Sequence, residues 1–126
     1  EVVRRRDAFD RDPAAFATAY AEADAAVVHR IAQARKRIAT VSAPDQILEL
    51  ASRLCQALGT DGLRGELTLL RASRALAALE GRRAVRPAHL AAVAPMALRH
   101  RLRRNPLDEA GSTIRIRRVM DEILPA

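Results

Sequence analysis

The sequence predicts an all-α fold, a bundle of about five helices. Three observations carry this expectation. Apolar residues recur at three- and four-residue intervals over long stretches. Nearly half of the 126 residues are apolar, with alanine and leucine supplying most of them and aromatic residues only 2%, a helix-forming composition. Glycine or proline punctuates each periodic stretch where a helix should stop or start, and no segment shows the strict alternation of a half-buried strand. A chain of this length can bury roughly two-thirds of the surface its unfolded form exposes, enough for one core.

The elements follow in order. Asp12-Pro13 reads as a helix start, with Asp12 as N-cap and Pro13 at the first helical position. Phe16, Tyr20, Ala23, Val27, Ile31, Ala34 and Ile38 then form the apolar stripe of one long helix. Ser42 with Asp45 three residues later resembles a capping box, and Ile47, Leu50, Ala51, Leu54 and Leu58 form a second stripe that stops at Gly59. A third helix runs from near Asp61 to Glu80, before Gly81. Leu69, Ala72, Leu76 and Leu79 share one of its faces with Leu63, Leu67 and Leu70 beside them, so it should lie centrally. Pro87 opens a fourth helix that turns Leu90, Val93, Ala94, Ala97 and Leu98 inward, and Pro95 within it predicts a kink. Beyond a loop over 105–111, Ser112 or Thr113 caps a last helix carrying Ile116, Val119, Met120 and Ile123.

Charge and composition narrow the function classes. The formal net charge is +7, carried almost wholly by arginine, and such an excess suits an anionic partner. No apolar run approaches the roughly 18 residues of a membrane span, and no signal peptide opens the chain, which reads as cytoplasmic. The single cysteine, Cys55, excludes an internal disulfide and lies in the apolar stripe of the second helix, where a buried inert thiol is expected. His29, His89 and His100 share no metal-ligand spacing and suit surface or capping roles. No phosphate loop, no Gly-x-Ser-x-Gly and no nucleophile with a neighbouring base is present. Beginning at Glu1 without methionine, the chain reads as part of something longer.

Two constellations remain. In Asp61-Gly62-Leu63-Arg64-Gly65-Glu66-Leu67-Thr68-Leu69-Leu70-Arg71, a helix capped by Asp61 places Arg64 in its first turn, where unpaired N–H groups already carry partial positive charge. Two glycines flank it, each costing a helix roughly 1 kcal/mol against alanine. Small residues, a helix N-terminus and a guanidinium fork together would let a phosphate approach closely. Arg64, Thr68 and Arg71 share one face, which reads either as a solvated stripe or as an anion site. The second constellation is Arg99-His100-Arg101-Leu102-Arg103-Arg104, dense enough for nucleic acid but without an aromatic residue for stacking, and favoured electrostatically at a helix C-terminus in any case.

The run 61–72, continued by Arg74-Ala75-Leu76-Ala77-Ala78-Leu79-Glu80-Gly81 and by His100 to Glu109, closely resembles the C-terminal region of the I-type AAA+ ATPase subunit of magnesium chelatases, the bacteriochlorophyll-pathway form in particular. The likeness covers nearly the whole chain, from Arg4-Arg5-Arg6-Asp7 to Leu124-Pro125. It implies a single helical AAA+ lid domain over 1–126, with 1–12 connecting it to an upstream nucleotide-binding domain. It further implies that Arg64 is the sensor-2 arginine that meets the terminal phosphate of ATP, with Mg²⁺ and ATP as cofactors of the full subunit. Ring assembly, as a hexamer, and partnership with the D-type subunit and the porphyrin-binding H-type subunit are implied too, all serving Mg²⁺ insertion into protoporphyrin IX. On this reading Arg99, Arg101, Arg103 and Arg104 face a partner subunit, no nucleic acid is bound, and the fragment alone catalyses nothing. The AAA+-like lid of the D-type subunit and a free-standing nucleic-acid-binding helical module are the competing readings.

Overall fold

A computed structural model of the chain describes residues 1–60, 62–102 and 111–124. They form six α-helices: α1 (Val2–Arg11), α2 (Pro13–Arg37), α3 (Asp45–Leu58), α4 (Leu63–Leu79), α5 (Pro87–Leu98) and α6 (Ser112–Ile123), with a 3-10 turn at Ile38–Thr40. The all-α expectation holds. Among the described residues the extended pairings are two isolated bridges, Ser42 with Ala84 and Thr60 with Leu102. The chain divides into two compact units, residues 1–33 and 34–126.

Within the first unit, Asp12 separates two helices. Its extended backbone ends α1, and its carboxylate then accepts a hydrogen bond from the Ala15 amide at 2.9 Å, the N-cap bond expected of it. Helix α1, which apolar periodicity did not single out, buries no residue. It is laced by ion pairs one turn apart, Arg5 to Glu1, Arg6 to Asp10 and Arg11 to Asp7, each contributing roughly 0.3–0.5 kcal/mol. Phe9 meets Phe16 edge to face, and Phe16 stacks on Tyr20 at 4.6 Å between centroids. The predicted apolar stripe of α2 is not a buried one: Ala34 is its only buried residue, while Val27 and Ile31 are about half exposed.

The second unit holds the core. Leu54 and Leu58 of α3, Leu69 of α4, Leu90 and Leu98 of α5 and Ile116 of α6 are fully enclosed, each burial stabilising the fold by roughly 1.5–3 kcal/mol. Helix α4 is central, packing on both α3 and α5. Its buried strip is Gly65, Leu69, Ser73, Ala77 and Ala78, and the predicted Ala72, Leu76 and Leu79, with Leu70, pack partly buried against the core beside it, centred away from the N-terminal leucines. Leu63 and Leu67 are therefore exposed, at 72% and 48%. Ser73 enters the core because its hydroxyl donates to the Leu69 carbonyl at 2.8 Å.

Glycine terminates α3 and α4 as predicted. Gly59 and Gly81 take φ of 66° and 74°, and Thr60 and Arg82 donate their amides back to the carbonyls of Cys55 and Ala77, closing the last turns. Two predicted caps differ. Ser42 does not cap α3, which begins at Asp45 behind Pro44. Instead it pairs through its backbone with Arg83 and Val85, because a long-range bridge satisfies both its amide and its carbonyl where a cap would satisfy one donor. Helix α6 begins at Ser112 with Gly111 in the N-cap position, which puts Thr113 inside the helix. Helix α5 starts at Pro87 and continues through Pro95.

His89 is the capping histidine the sequence allowed for, though it is buried. Its Nδ1 accepts the Arg86 amide at 2.8 Å, and its Nε2 lies 3.1 Å from a Glu80 carboxylate oxygen. The first bond requires Nδ1 to be unprotonated, so Nε2 carries the proton and donates to Glu80. Replacing His89 by alanine orphans the Arg86 amide and empties a buried volume. His89→Ala is expected to cost about 1–3 kcal/mol, read as a lower urea midpoint at unchanged slope, whereas Glu80→Gln should cost much less.

Candidate functional site

The turn joining α3 to α4 is built by packing. Thr60 donates both its amide and its hydroxyl to the Cys55 carbonyl, at 3.0 and 3.2 Å. The side chain of Thr60 thereby fills the notch over Gly65, where an added Cβ would stand 2.9 Å from the threonine hydroxyl oxygen and 3.1 Å from its Cβ. Gly65 is buried. Its smallness serves the approach of α3 to α4, and the idea that it clears space for a phosphate is corrected accordingly. Gly62 differs: it precedes α4 with φ 61° and open space beyond its missing side chain, a backbone conformation that glycine adopts without the usual left-handed cost. Asp61, the expected cap, lies outside the described residues.

Arg64 is the second residue of α4, exposed, and its guanidinium has no partner among the described residues. The one carboxylate in that turn, Glu66, accepts a hydrogen bond from the Ser52 hydroxyl at 3.1 Å across the helix pair. Arg64 therefore sits over the positive end of α4, where the helix dipole disfavours a cation, and the nearby described carboxylate, Glu66, is engaged by Ser52. Thr68 is half-buried and its hydroxyl donates to the Arg64 carbonyl at 2.7 Å, so it is turned to the backbone and away from a ligand. Arg71 is exposed. Between the two arginines the exposed Leu63 and Leu67 make this face mixed in character, not the polar line that spacing suggested.

The fold brings the second basic segment to the same end of α4. Leu102 bridges Thr60 in antiparallel fashion, so the stretch that begins with exposed Arg99 and half-buried Arg101 returns to the turn preceding Arg64. Arg103 and Arg104 lie outside the described residues. His100 accepts a hydrogen bond from Arg99 Nε at 3.0 Å, and His29 pairs with Gln33. Among the described residues no group of three or more His, Cys, Asp or Glu is placed to hold a metal ion. Likewise among them no helix is long and apolar enough to cross a membrane.

One residue at this turn has no signal in the local sequence. Arg115 of α6 donates from Nη2 to the Leu58 carbonyl at 3.2 Å, capping α3 from 57 positions away. Its adjacency to the core residue Ile116 marks it as helical, but no local pattern announces a bond of that range. Cys55 lies beneath the same turn, 2% exposed. Burial pushes its thiol pKa up, the Glu66 carboxylate adds to this, and the Thr60 hydroxyl partly offsets it.

Residues 48–123 match the AAA lid domain family. The magnesium-chelatase 38 kDa subunit of Rhodobacter capsulatus is 57% identical over 99% of this chain and 36% of its own length. Its counterpart from Acidiphilium rubrum is 58% identical over 95% and 35%. Among solved structures, one built on a cryo-EM reconstruction of the complex between the BchI and BchD subunits of magnesium chelatase aligns over 98% of this chain and 35% of the matched chain. The TM-score is 0.50 at 48% identity. The chain spans about a third of the length of the relatives it matches.

Two outcomes test the packing of this turn. Gly65→Ala should destabilise the protein by about 1–3 kcal/mol through overpacking against Thr60, and because the contacting atoms are Oγ1 and Cβ of Thr60, the same change should cost less in a Thr60→Gly background, measured by chemical denaturation. Cys55, protonated and enclosed, should react with iodoacetamide at pH 8 many times more slowly in native buffer than in denaturant, read by mass spectrometry.

Proposed function

The chain belongs to the AAA lid domain family, and from that membership we propose that it is the C-terminal lid of the I-type ATPase subunit of a magnesium chelatase. Residues 1–126 make up the lid module in this reading, with residues 1–12 arriving from an upstream nucleotide-binding domain. The single observation that carries the proposal is Arg64, exposed and unpartnered among the described residues in the first turn of α4, on a turn fixed from beneath by Thr60 and Gly65. The identity to 38 kDa subunits over nearly the whole chain supports the I-type subunit over the D-type.

The chemistry asked of the lid is electrostatic. Arg64 contacts the terminal phosphate of an ATP held by the upstream domain and stabilises the charge that develops during phosphoryl transfer, with no covalent role. An added anion relieves the unfavourable placement of a cation at a helix N-terminus, so lid position and nucleotide state become linked through one residue. Guanidinium geometry suits the task, since its planar fork meets two phosphate oxygens at once. Mg²⁺, which neutralises phosphate charge when bound, is assigned to ligands of the upstream domain. Hydrolysis in a ring of such subunits, a hexamer in the cytoplasm, then drives Mg²⁺ insertion into protoporphyrin IX together with the D-type and H-type subunits. Arg99, Arg101, Arg103 and Arg104 are assigned to a neighbouring copy in the ring or to the D-type subunit, and the lid alone is catalytically inactive.

Arg64→Ala in the full subunit should lower ATP turnover by about three to five orders of magnitude, with circular dichroism and thermal midpoint nearly unchanged because the side chain is exposed. Wild-type turnover in that variant would remove the sensor assignment.

A further inference from the structure

The far end of α4 carries a second concentration of positive charge that the nucleotide reading does not use. The 17 residues of α4 span roughly 25 Å, so this end is well separated from Arg64. There α2 finishes in Arg35, Lys36 and Arg37, and the loop after α4 supplies Arg82, Arg83 and Arg86. Three contacts hold these segments together. Gly81, with φ 74°, leaves the Arg37 Nη1 atom 3.1 Å from where its Cβ would be. Ser42, just past the 3-10 turn that follows Arg37, exchanges backbone hydrogen bonds with Arg83 and Val85 at 3.0 and 2.9 Å. The Arg86 amide is tied through His89 to Glu80.

Structural roles account for only part of this charge. Basic residues are favoured beside helix C-termini, but α2 and α4 each contribute only about half a negative charge there. The nearby carboxylate, Glu80, is engaged by His89. Arg86 lies at the opposite kind of end, ahead of the positive N-terminus of α5. Arg35, Lys36, Arg82, Arg83 and Arg86 are all exposed, and none forms an ion pair with a described residue. Arg37 is half-buried and braces the loop.

The geometry points to this surface as a docking site for an acidic polypeptide segment, an Asp- or Glu-rich stretch of a partner protein. All but one of the cations are guanidiniums, whose planar fork binds carboxylates bidentately. Residues 34–126 contain no Phe, Tyr or Trp on which a nucleic-acid base could stack. The cations form a compact knot around a helix end and a tight loop, whereas duplex binding draws its strength from many phosphate contacts along a helix or groove. The proposal is independent of the role assigned to Arg64.

The test measures binding of a fluorescein-labelled deca-glutamate peptide to the intact protein at 150 mM salt by anisotropy. Two charge-matched double variants, Arg82→Glu/Arg83→Glu and Arg117→Glu/Arg118→Glu, are compared, the second placing the same reversal on exposed α6 positions. The first should weaken binding about tenfold or more and the second less than about twofold. The neutral variant Arg82→Gln/Arg83→Gln, which adds no carboxylate and serves also where the reversal fails to fold, should weaken it about threefold. Equal losses in the two reversals would mean that net charge alone attracts the peptide, and would overturn the site. No measurable binding by the wild type, or tighter binding of a DNA duplex under the same conditions, would overturn it as well.

Discussion

Helix α4 presents to the bundle a strip of Gly65, Leu69, Ser73 and Ala77, residues one turn apart of which only the leucine is large. That strip governs residues 34–126. Small side chains let α3 and α5 come close, and the volume they leave is filled by leucines from both neighbours, with Leu54, Leu58, Leu90 and Leu98 entirely enclosed. Close-packed interiors tolerate little change in volume, so the choice of glycine at 65 is fixed by Thr60 above it and Cys55 beside it. The serine within the strip stays buried only because its hydroxyl is satisfied on its own helix. Once this face is committed to the core, the opposite one, with Arg64, Leu67 and Arg71, has to lie outside.

The described residues that lead into the turn before Arg64 are anchored for related reasons. They are tied to α3 by the Thr60 bonds and to the chain beyond α5 by the Leu102 bridge, and the end of α3 is capped from α6 by Arg115. Each such hydrogen bond contributes about 1 kcal/mol, comparable to the roughly 0.3–1 kcal/mol cost of a cation in the first turn of a helix. The placement is therefore held by the fold without help from a ligand.

Much of this is legible in the sequence, and what is not has a common cause. Helix stops at Gly59 and Gly81, the start at Asp12-Pro13 and the exposed arginine at 64 follow from local chemistry, and the structure places them where that chemistry does. The stripe of α6 from Ile116 through Ile123 packs as its spacing implies. Departures arise where a distant partner outcompetes a local one. Ser42 exchanges a cap for a bridge to the loop after α4, and α4 turns its small residues inward and leaves Leu63 and Leu67 outside. Glycine between charged and apolar neighbours looks the same in a sequence whether it admits a ligand or another helix. Charge density likewise marks Arg99 to Arg104 but not the knot around Arg82, whose members come from separate stretches of chain.

The two glycine stops also fix how α4 is phased. Gly59 and Gly81 both end their helices with left-handed backbone turns, so the number of residues between them sets the dihedral relation between the charges at the two ends. Each residue advances an α-helix by about 100°. One inserted residue in α4 would thus swing Arg64 to a different side of the bundle relative to Arg82 and Arg83, with net charge unaltered. The helix acts as a key whose teeth are set by its length, and drift in this lid should be tolerated in side chains far more readily than in residue count.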